Sequence, residues 1–318
     1  MNNMKNTSNH YKFIFLLLLV LTGCKEFIEP SIGKRTVNLL APANGTQSLA
    51  YAQNFWWDPV DDALKYRLQV VSPDFNNAAR MVLDTLVTAN KFTFTLDPGN
   101  YSWRVRAENG SSETAYSTAA FVINASSIKA QQPQLQSPAN NTITNVNKTS
   151  FIWLKLYGAD KYRLEIDTNN FADETLLFFD KTTPALQYTV PLTKDKLYQW
   201  RVKALNDTAE SKWSDIQNIT LDATPPPQVA LNSPATGALA VSPVALKWDA
   251  ASGAAKYQLY VFKSDQTTPY STAFPVTQTA TSYVFTGTAG EKVYWRVRAI
   301  DSAGNIGSLS ELRSFTNQ

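Results

Sequence analysis

The residues best suited to contact a ligand are aromatic side chains that depart from the repeated pattern of this 318-residue sequence. Successive strand residues point to opposite faces of a sheet, so a residue beside an inward neighbour should face solvent. Exposed Trp and Tyr side chains stack on sugar rings or anchor protein partners. The alternative is that these rings pack against an adjacent loop or domain. The candidate ligand contacts are Trp56, beside an inward Trp57, Tyr260 and Phe262, on either side of an inward Val261, and Trp213, in a predicted loop.

The carboxylates offer no catalytic or metal-binding arrangement. Asp58, Asp61 and Asp62 fall in one predicted turn, whereas glycoside hydrolysis needs two carboxyl groups facing each other across a cleft. Asp167 and Asn169 begin like a calcium loop, but the fifth ligand and the required glycine are missing. The sequence also has no phosphate loop, dinucleotide fingerprint or nucleophile elbow. We therefore expect no catalytic residue, no metal and no cofactor.

The first residues form a predicted signal segment. Lys5 and Lys12 give a basic region, and residues 13–21 are all apolar. Nine residues of helix would span roughly 14 Å, about half of a bilayer core, which is too short for a membrane span. The run Leu21-Thr22-Gly23-Cys24 resembles a bacterial lipobox. That resemblance implies cleavage before Cys24 and attachment of two or three acyl chains to it, which would anchor the protein stably.

Removal of residues 1–23 would also remove the only histidine, His10. The rest of the chain has 27 basic and 26 acidic residues, so the net charge falls from +3 to +1. With no histidine and no free thiol, the histidine- and cysteine-based nucleophile systems and histidine-ligated zinc are excluded. A nearly neutral chain without a basic run also argues against a nucleic-acid partner. We predict that the protein is not an enzyme.

A single strand pattern recurs three times and organises the chain. Residues 101–107, 198–204 and 293–299 each place Trp, Val and Ala on one face and basic residues on the other. A second Trp precedes each copy and recurs at spacings of 96 and 95 residues. We predict that both sets of Trp are core and that the outward arginines cover neighbouring aromatics, although an anionic ligand could use them. The two sets are Trp57, Trp153 and Trp248, and Trp103, Trp200 and Trp295.

Each repeat is about 90 residues long, has turn signals every 8–12 residues and shows no helical period, which predicts a sandwich of about seven strands. The early Trp, the Tyr-x-Leu of the third strand and the Trp-Arg-Val strand resemble the fibronectin type III family. The predicted fold is all-β, with three tandem immunoglobulin-like (fibronectin type III) sandwiches after a lipoprotein signal peptide. The boundaries are 1–23 for the signal peptide, 24–36 for a lipidated tether, and 37–123, 132–222 and 226–318 for units 1, 2 and 3.

The connections between units differ in composition. Residues 24–36 have no clean periodicity and are predicted to be a flexible tether. Residues 124–132 are polar, which predicts a soft joint between units 1 and 2. Residues 223–227 end in three consecutive prolines, which favour an extended, semi-rigid spacer between units 2 and 3.

The location follows from resemblance to known sorting signals. The residue after Cys24 is Lys25 and not Asp, which implies the outer membrane; the cell surface is favoured over the periplasmic face. We expect a non-enzymatic, outer-membrane-anchored lipoprotein that contacts a glycan or a protein partner. The alternative is a structural spacer or an assembly subunit of a cell-envelope complex, with no small-molecule ligand.

Overall fold

The computed structural model describes residues 29–318, and these residues form three β-sandwich units in tandem. The predicted all-β, fibronectin type III-like fold is confirmed. The signal segment and Cys24 lie outside the described residues. Within residues 29–318, no helix is long and apolar enough to cross a membrane.

Unit 1 contains eight strands in two sheets. One sheet has the order β1-β3-β6, and the other has the order β2-β8-β7-β4-β5. The strands are β1 (Leu39–Ala41), β2 (Thr46–Ser48), β3 (Ala52–Trp57), β4 (Lys65–Ser72), β5 (Arg80–Val87), β6 (Lys91–Thr95), β7 (Gly99–Glu108) and β8 (Ser117–Ile123).

Unit 2 repeats this topology with one additional strand, β16, which pairs with β15. Its sheets have the orders β14-β11-β9 and β10-β17-β15-β12-β13. The strands are β9 (Leu135–Ser137), β10 (Thr142–Thr144), β11 (Lys148–Trp153), β12 (Lys161–Asp167), β13 (Phe179–Thr183), β14 (Gln187–Pro191), β15 (Lys196–Leu205), β16 (Glu210–Trp213) and β17 (Gln217–Leu221).

Unit 3 has the same two sheets, with the orders β18-β20-β23 and β19-β25-β24-β21-β22. The strands are β18 (Leu231–Ser233), β19 (Ala238–Ala240), β20 (Val244–Trp248), β21 (Lys256–Phe262), β22 (Val276–Gln278), β23 (Ser282–Phe285), β24 (Lys292–Ile300) and β25 (Arg313–Asn317).

Each unit has more than seven strands because the first strand is split between the two sheets. A proline follows the first short segment and cannot donate to a ladder, so pairing stops there. The chain turns at Gly45, Asn141 or Gly237, each with φ between 63° and 80°, where glycine and asparagine are favoured. The second short segment then pairs in parallel with the last strand of the other sheet.

The predicted core is confirmed by the burial of all six repeated tryptophans. None of Trp57, Trp103, Trp153, Trp200, Trp248 and Trp295 is more than 2% exposed. The tyrosines at the start of the Trp-Arg-Val strand tie that strand to the preceding turn. Tyr101 Oη donates to the Asp97 carbonyl at 2.8 Å, and Tyr198 Oη donates to the Lys194 carbonyl at 2.9 Å. Unit 3 has Val293 at this position and packs without that bond.

The joint between units 1 and 2 is packed, not soft as its polar composition predicted. Residues 128–130 form a 3₁₀ turn with Ile128 buried. Gln131 is also buried, and its side chain bonds both the Tyr51 N–H (2.9 Å) and the Leu49 carbonyl (2.8 Å) of unit 1. Its own carbonyl accepts from the Lys212 N–H of unit 2 at 2.9 Å. One glutamine therefore bonds to both units.

The predicted flexible tether also differs in the structure, because residues 29–36 lie against unit 1. Ile32 is fully buried, and its N–H donates to Ser112 Oγ at 2.8 Å. Arg35 forms an ion pair with Asp62 at 2.7 Å, and the Ser111 hydroxyl donates to the Glu29 carbonyl at 2.8 Å. A buried isoleucine and a charge pair hold this segment, although its composition resembles that of a linker.

A hydrogen bond and a buried proline also attach unit 3 to unit 2. The Asn305 side chain donates to the Asp222 carbonyl at 2.7 Å, and Pro226 in the proline run is buried. In all three units, the segment before the first strand therefore lies against the residues that follow the Trp-Arg-Val strand, which are a loop in units 1 and 3 and include strand β16 in unit 2. The chain itself therefore occupies this end of each unit.

Candidate functional site

The most exposed of the candidate aromatics is Trp56, on the outer face of the three-stranded sheet of unit 1. Strand β3 alternates strictly between exposed and buried residues, so Trp57 fills the core and Trp56 points to solvent with half of its surface exposed. Unit 2 has Ile152 at this position, and unit 3 has Lys247. The indole platform is therefore specific to unit 1.

Polar side chains surround the indole on the same face. Lys91 lies directly across from Trp56 in the ladder, and Asn54 lies across from Thr93. The Thr93 hydroxyl donates to Asn54 Oδ1 at 2.7 Å, which fixes both side chains. These residues line an open depression of about 620 Å³. An aromatic ring framed by fixed hydrogen-bonding groups is the arrangement that orients a polar ligand.

Trp213 belongs to strand β16 and not to a loop, and cations cover its ring. It lies across from Lys203 in the ladder, and the Lys203 ammonium is 4.4 Å from the ring centroid. The Arg201 guanidinium is 4.1 Å from the Trp213 ring and 4.1 Å from the Phe171 ring, so it lies between them. With these cations on it, Trp213 is a poorer stacking platform than Trp56.

The Arg201 guanidinium is held by carboxylates as well as by rings. Glu165 is fully buried and accepts from Arg201 at 2.8 Å, and Arg163 approaches its other oxygen at 3.0 Å. Glu174 accepts from Arg201 at 2.5 Å, and this hydrogen bond lowers the pKa of Glu174. Hydrogen bonding to Asp180 raises the pKa of Arg163. The arginines of this cluster pair with its own carboxylates and rings, as predicted for arginines that cover neighbouring aromatics, and Glu165 Oε1 has only the ion-pair contact with Arg163 and no hydrogen bond.

Equivalent arginines in the other units also lie over aromatic rings. Arg104 in unit 1 is 4.2 Å from both the Phe75 and the Tyr116 ring centroids. Arg296 in unit 3 is 5.8 Å from Tyr260 and 5.3 Å from Phe262. The repeated Arg of the Trp-Arg-Val strand therefore has a packing role in every unit.

Phe262 is only 7% exposed, so the prediction of an outward, solvent-facing ring is wrong. The alternation gives the correct face, but the chain after β21 folds back over it. Pro269 bridges to Phe262, and the Tyr270 N–H donates to the Val261 carbonyl at 2.8 Å. Tyr260 is partly exposed, stacks on Phe262 at 6.1 Å and donates its hydroxyl to Gln258 at 2.9 Å.

The acidic turn of unit 1 has a structural role. Asp58 accepts from the Asn38 side chain at 2.7 Å, and Asp62 holds Arg35. In unit 2, Asp167 accepts backbone N–H groups of its own loop, from Asn169 at 3.1 Å and Phe171 at 2.6 Å. Across residues 29–318, no three His, Cys, Asp or Glu side chains are grouped so that they could hold a metal ion.

Comparison with known proteins gives one partial sequence relative. No family model matches the chain. A segment of 95 residues, 29% of this chain, is 40% identical to a poly(3-hydroxybutyrate) depolymerase from Delftia acidovorans. The match spans only 18% of that enzyme's length.

Structural comparison aligns the chain with solved fibronectin domains at a low overall similarity. The three domains FN1–FN3 of chicken CNTN1 match 89% of this chain and 97% of their own, with 16% identity and a TM-score of 0.39. Fibronectin(III)-like modules of Clostridium thermocellum CbhA match 58% of this chain and 94% of their own, with 12% identity and a TM-score of 0.39. The fold assignment itself rests on the strand order of each unit.

Proposed function

We propose that this protein is a non-enzymatic binding module, anchored to the outer membrane through a lipid on Cys24, that contacts a glycan through the Trp56 face of unit 1. The observation that carries the proposal is the half-exposed indole of Trp56, framed by Asn54, Lys91 and Thr93. The other three candidate rings have packing partners instead: cations lie over Trp213 and Tyr260, and the chain after β21 covers Phe262.

The depolymerase match is compatible with this proposal. Its 95 residues are about the length of a single unit, so a shared β-sandwich module accounts for it without a shared reaction. A fibronectin type III-like fold is compatible with a binding or a structural role. The sheet face is favoured over the loops because the chain's own segments occupy the loops at one end of each unit.

A second candidate function is a rigid spacer or an assembly subunit of a cell-envelope complex. The packed joints favour it, because Gln131 bonds to both units 1 and 2 and Asn305 of unit 3 bonds to Asp222 at the end of unit 2. This function predicts a stable protein partner and no dependence of any glycan binding on Trp56.

Binding of the protein without its signal segment to a panel of polysaccharides tests the first proposal. Trp56→Ala should weaken binding to the retained polysaccharide about thirtyfold, as expected when a hot-spot aromatic worth about 2 kcal/mol is removed. Lys247→Ala is the matched control, since Lys247 is the exposed equivalent of Trp56 in unit 3. Failure of the intact protein to bind any glycan in the panel would exclude the glycan role.

A further inference from the structure

The Trp56 depression does not end within unit 1. A second depression of about 230 Å³ begins at Thr93, which also lines the first, and continues over Gln134, Asp215 and Gln217 of unit 2. We propose that the two form one binding groove across the joint of units 1 and 2, and that it takes a linear, uncharged polysaccharide. This inference rests on the proposed glycan function of Trp56 and adds the ligand's shape and charge class.

The joint that carries the groove is fixed by hydrogen bonds. The Gln134 side chain donates to the Thr93 carbonyl at 2.9 Å and accepts from the Thr95 hydroxyl at 2.9 Å. The buried Gln131 adds bonds to both units a few residues earlier. A groove whose two halves are already held together needs little ordering when a chain binds, which favours affinity.

The unit 2 half of the groove contains acceptors suited to sugar hydroxyl groups. Gln217 Oε1 is buried and has no hydrogen-bond donor among the residues that the structure describes. A buried polar atom without a partner costs free energy, and rotation of the Gln217 amide into the depression would let a ligand hydroxyl supply the missing donor. Asp215 lies beside it, with Oδ1 already accepting from the Gln132 amide at 2.9 Å.

The charges along the groove favour an uncharged chain. Lys91 lines the Trp56 end and Asp215 lines the other end, so the lining has one charge of each sign. The arginines that could have bound sulfate or uronate groups are engaged elsewhere, with Arg201 between two rings and two carboxylates. An anionic polysaccharide would find no cluster of cations here.

The length of the groove favours a chain over a single sugar. Trp56 and Asn54 are two residues apart on β3, a separation of roughly 7 Å. Thr93 lies across from Asn54, and the second depression extends beyond it into unit 2. A ring stacked on Trp56 would therefore leave the unit 2 acceptors for sugars further along the same chain.

Neutral oligosaccharides of one to eight units, from the gluco-, manno- and xylo- series, test this inference with the full signal-free protein. Affinity should rise with length until the chain reaches unit 2. Gln217→Ala and Asp215→Ala should weaken the longer ligands about two- to tenfold, the effect of losing one hydrogen bond, and leave the shortest binding ligand unchanged. Asp207→Ala, at an exposed loop position of unit 2, is the control.

The outcomes separate the groove from the simpler proposal. Binding that requires Trp56 but is independent of length, Gln217 and Asp215 would overturn the groove and leave the glycan role of unit 1 intact. Tighter binding of a sulfated or uronate polysaccharide would overturn the uncharged class. Glycan binding that survives Trp56→Ala would overturn both proposals. Unchanged circular dichroism spectra of the variants would establish that they fold.

Discussion

Replacing Glu165 with alanine should lower the free energy of unfolding of unit 2 by about 3–5 kcal/mol. Glu165 is fully buried and pairs with Arg201 at 2.8 Å. Arg201 is only 9% exposed, so removal of Glu165 leaves a cation with little access to water and with the exposed Glu174 as its remaining carboxylate partner. Hydrogen exchange of the β15 amides, measured by mass spectrometry during urea unfolding, reports on this unit within the full chain.

Unit 1 supplies the matched control for this prediction. Gln69 occupies the position of Glu165 and accepts from Arg104 Nε at 2.9 Å, in the same cross-strand register. Glu165→Gln reproduces the glutamine–arginine pair of unit 1. It should lower the free energy of unfolding much less than Glu165→Ala does, because the hydrogen bond to the guanidinium is kept. A free energy of unfolding for Glu165→Ala within about 0.5 kcal/mol of the parent would contradict the account, since surface changes have effects of that size.

Trp200→Ala should destabilise unit 2 by a comparable amount, about 3–5 kcal/mol. The Trp200 ring is fully buried and meets the Phe151 ring edge-to-face at 5.0 Å, so its removal leaves a large cavity between the two sheets. The same hydrogen-exchange measurement applies to β15, which contains Trp200.

Trp213→Ala is the control for the loss of an indole from the same unit. This ring is partly exposed and mainly contacts cations, so its removal should cost about 1–2 kcal/mol, the range of cation–π contacts. Equal effects of Trp200→Ala and Trp213→Ala would contradict the assignment of Trp200 to the core and of Trp213 to the surface.

The period-2 pattern was sufficient to predict the core of the fold. Inward and outward positions on a strand follow from its geometry alone, and for Trp57 and Trp56 the observed burial follows that rule. The alternation does not predict which parts of the chain pack over a given face of the sheet. Phe262 has the expected phase, but 13 residues separate β21 from β22, against seven between β4 and β5, and the longer segment folds over the ring. The length of this connection was the feature of the sequence that could have predicted the burial of Phe262.

The joints between units show a second limit of predicting structure from amino-acid composition. Residues 124–132 and 29–36 have the aperiodic character of linkers, yet each is fixed by one buried isoleucine, Ile128 or Ile32, together with polar contacts to the adjoining unit. A single apolar residue gives no periodic signal, and its burial depends on a surface contributed by another part of the chain. The pairing of Trp213 with Lys203 likewise depends on the register of β16, which the sequence alone did not specify.

The groove across units 1 and 2 depends on these same joints. Gln134 and Gln217 belong to unit 2, whereas Trp56 and Thr93 belong to unit 1, and only the fixed joint places them along one surface. No local pattern links a tryptophan with a glutamine more than 150 residues later. The candidate ring could be found from the sequence, but its polar extension could not.

Oxidative labelling of tryptophan, with and without the retained polysaccharide, tests the central claim most directly. The six core tryptophans are at most 2% exposed and should not react, whereas Trp56 should react strongly and Trp213 less. Saturating polysaccharide should protect Trp56 and leave the labelling of Trp213 unchanged. Unchanged labelling of Trp56 while the polysaccharide is bound would contradict the claim that this face is the binding site.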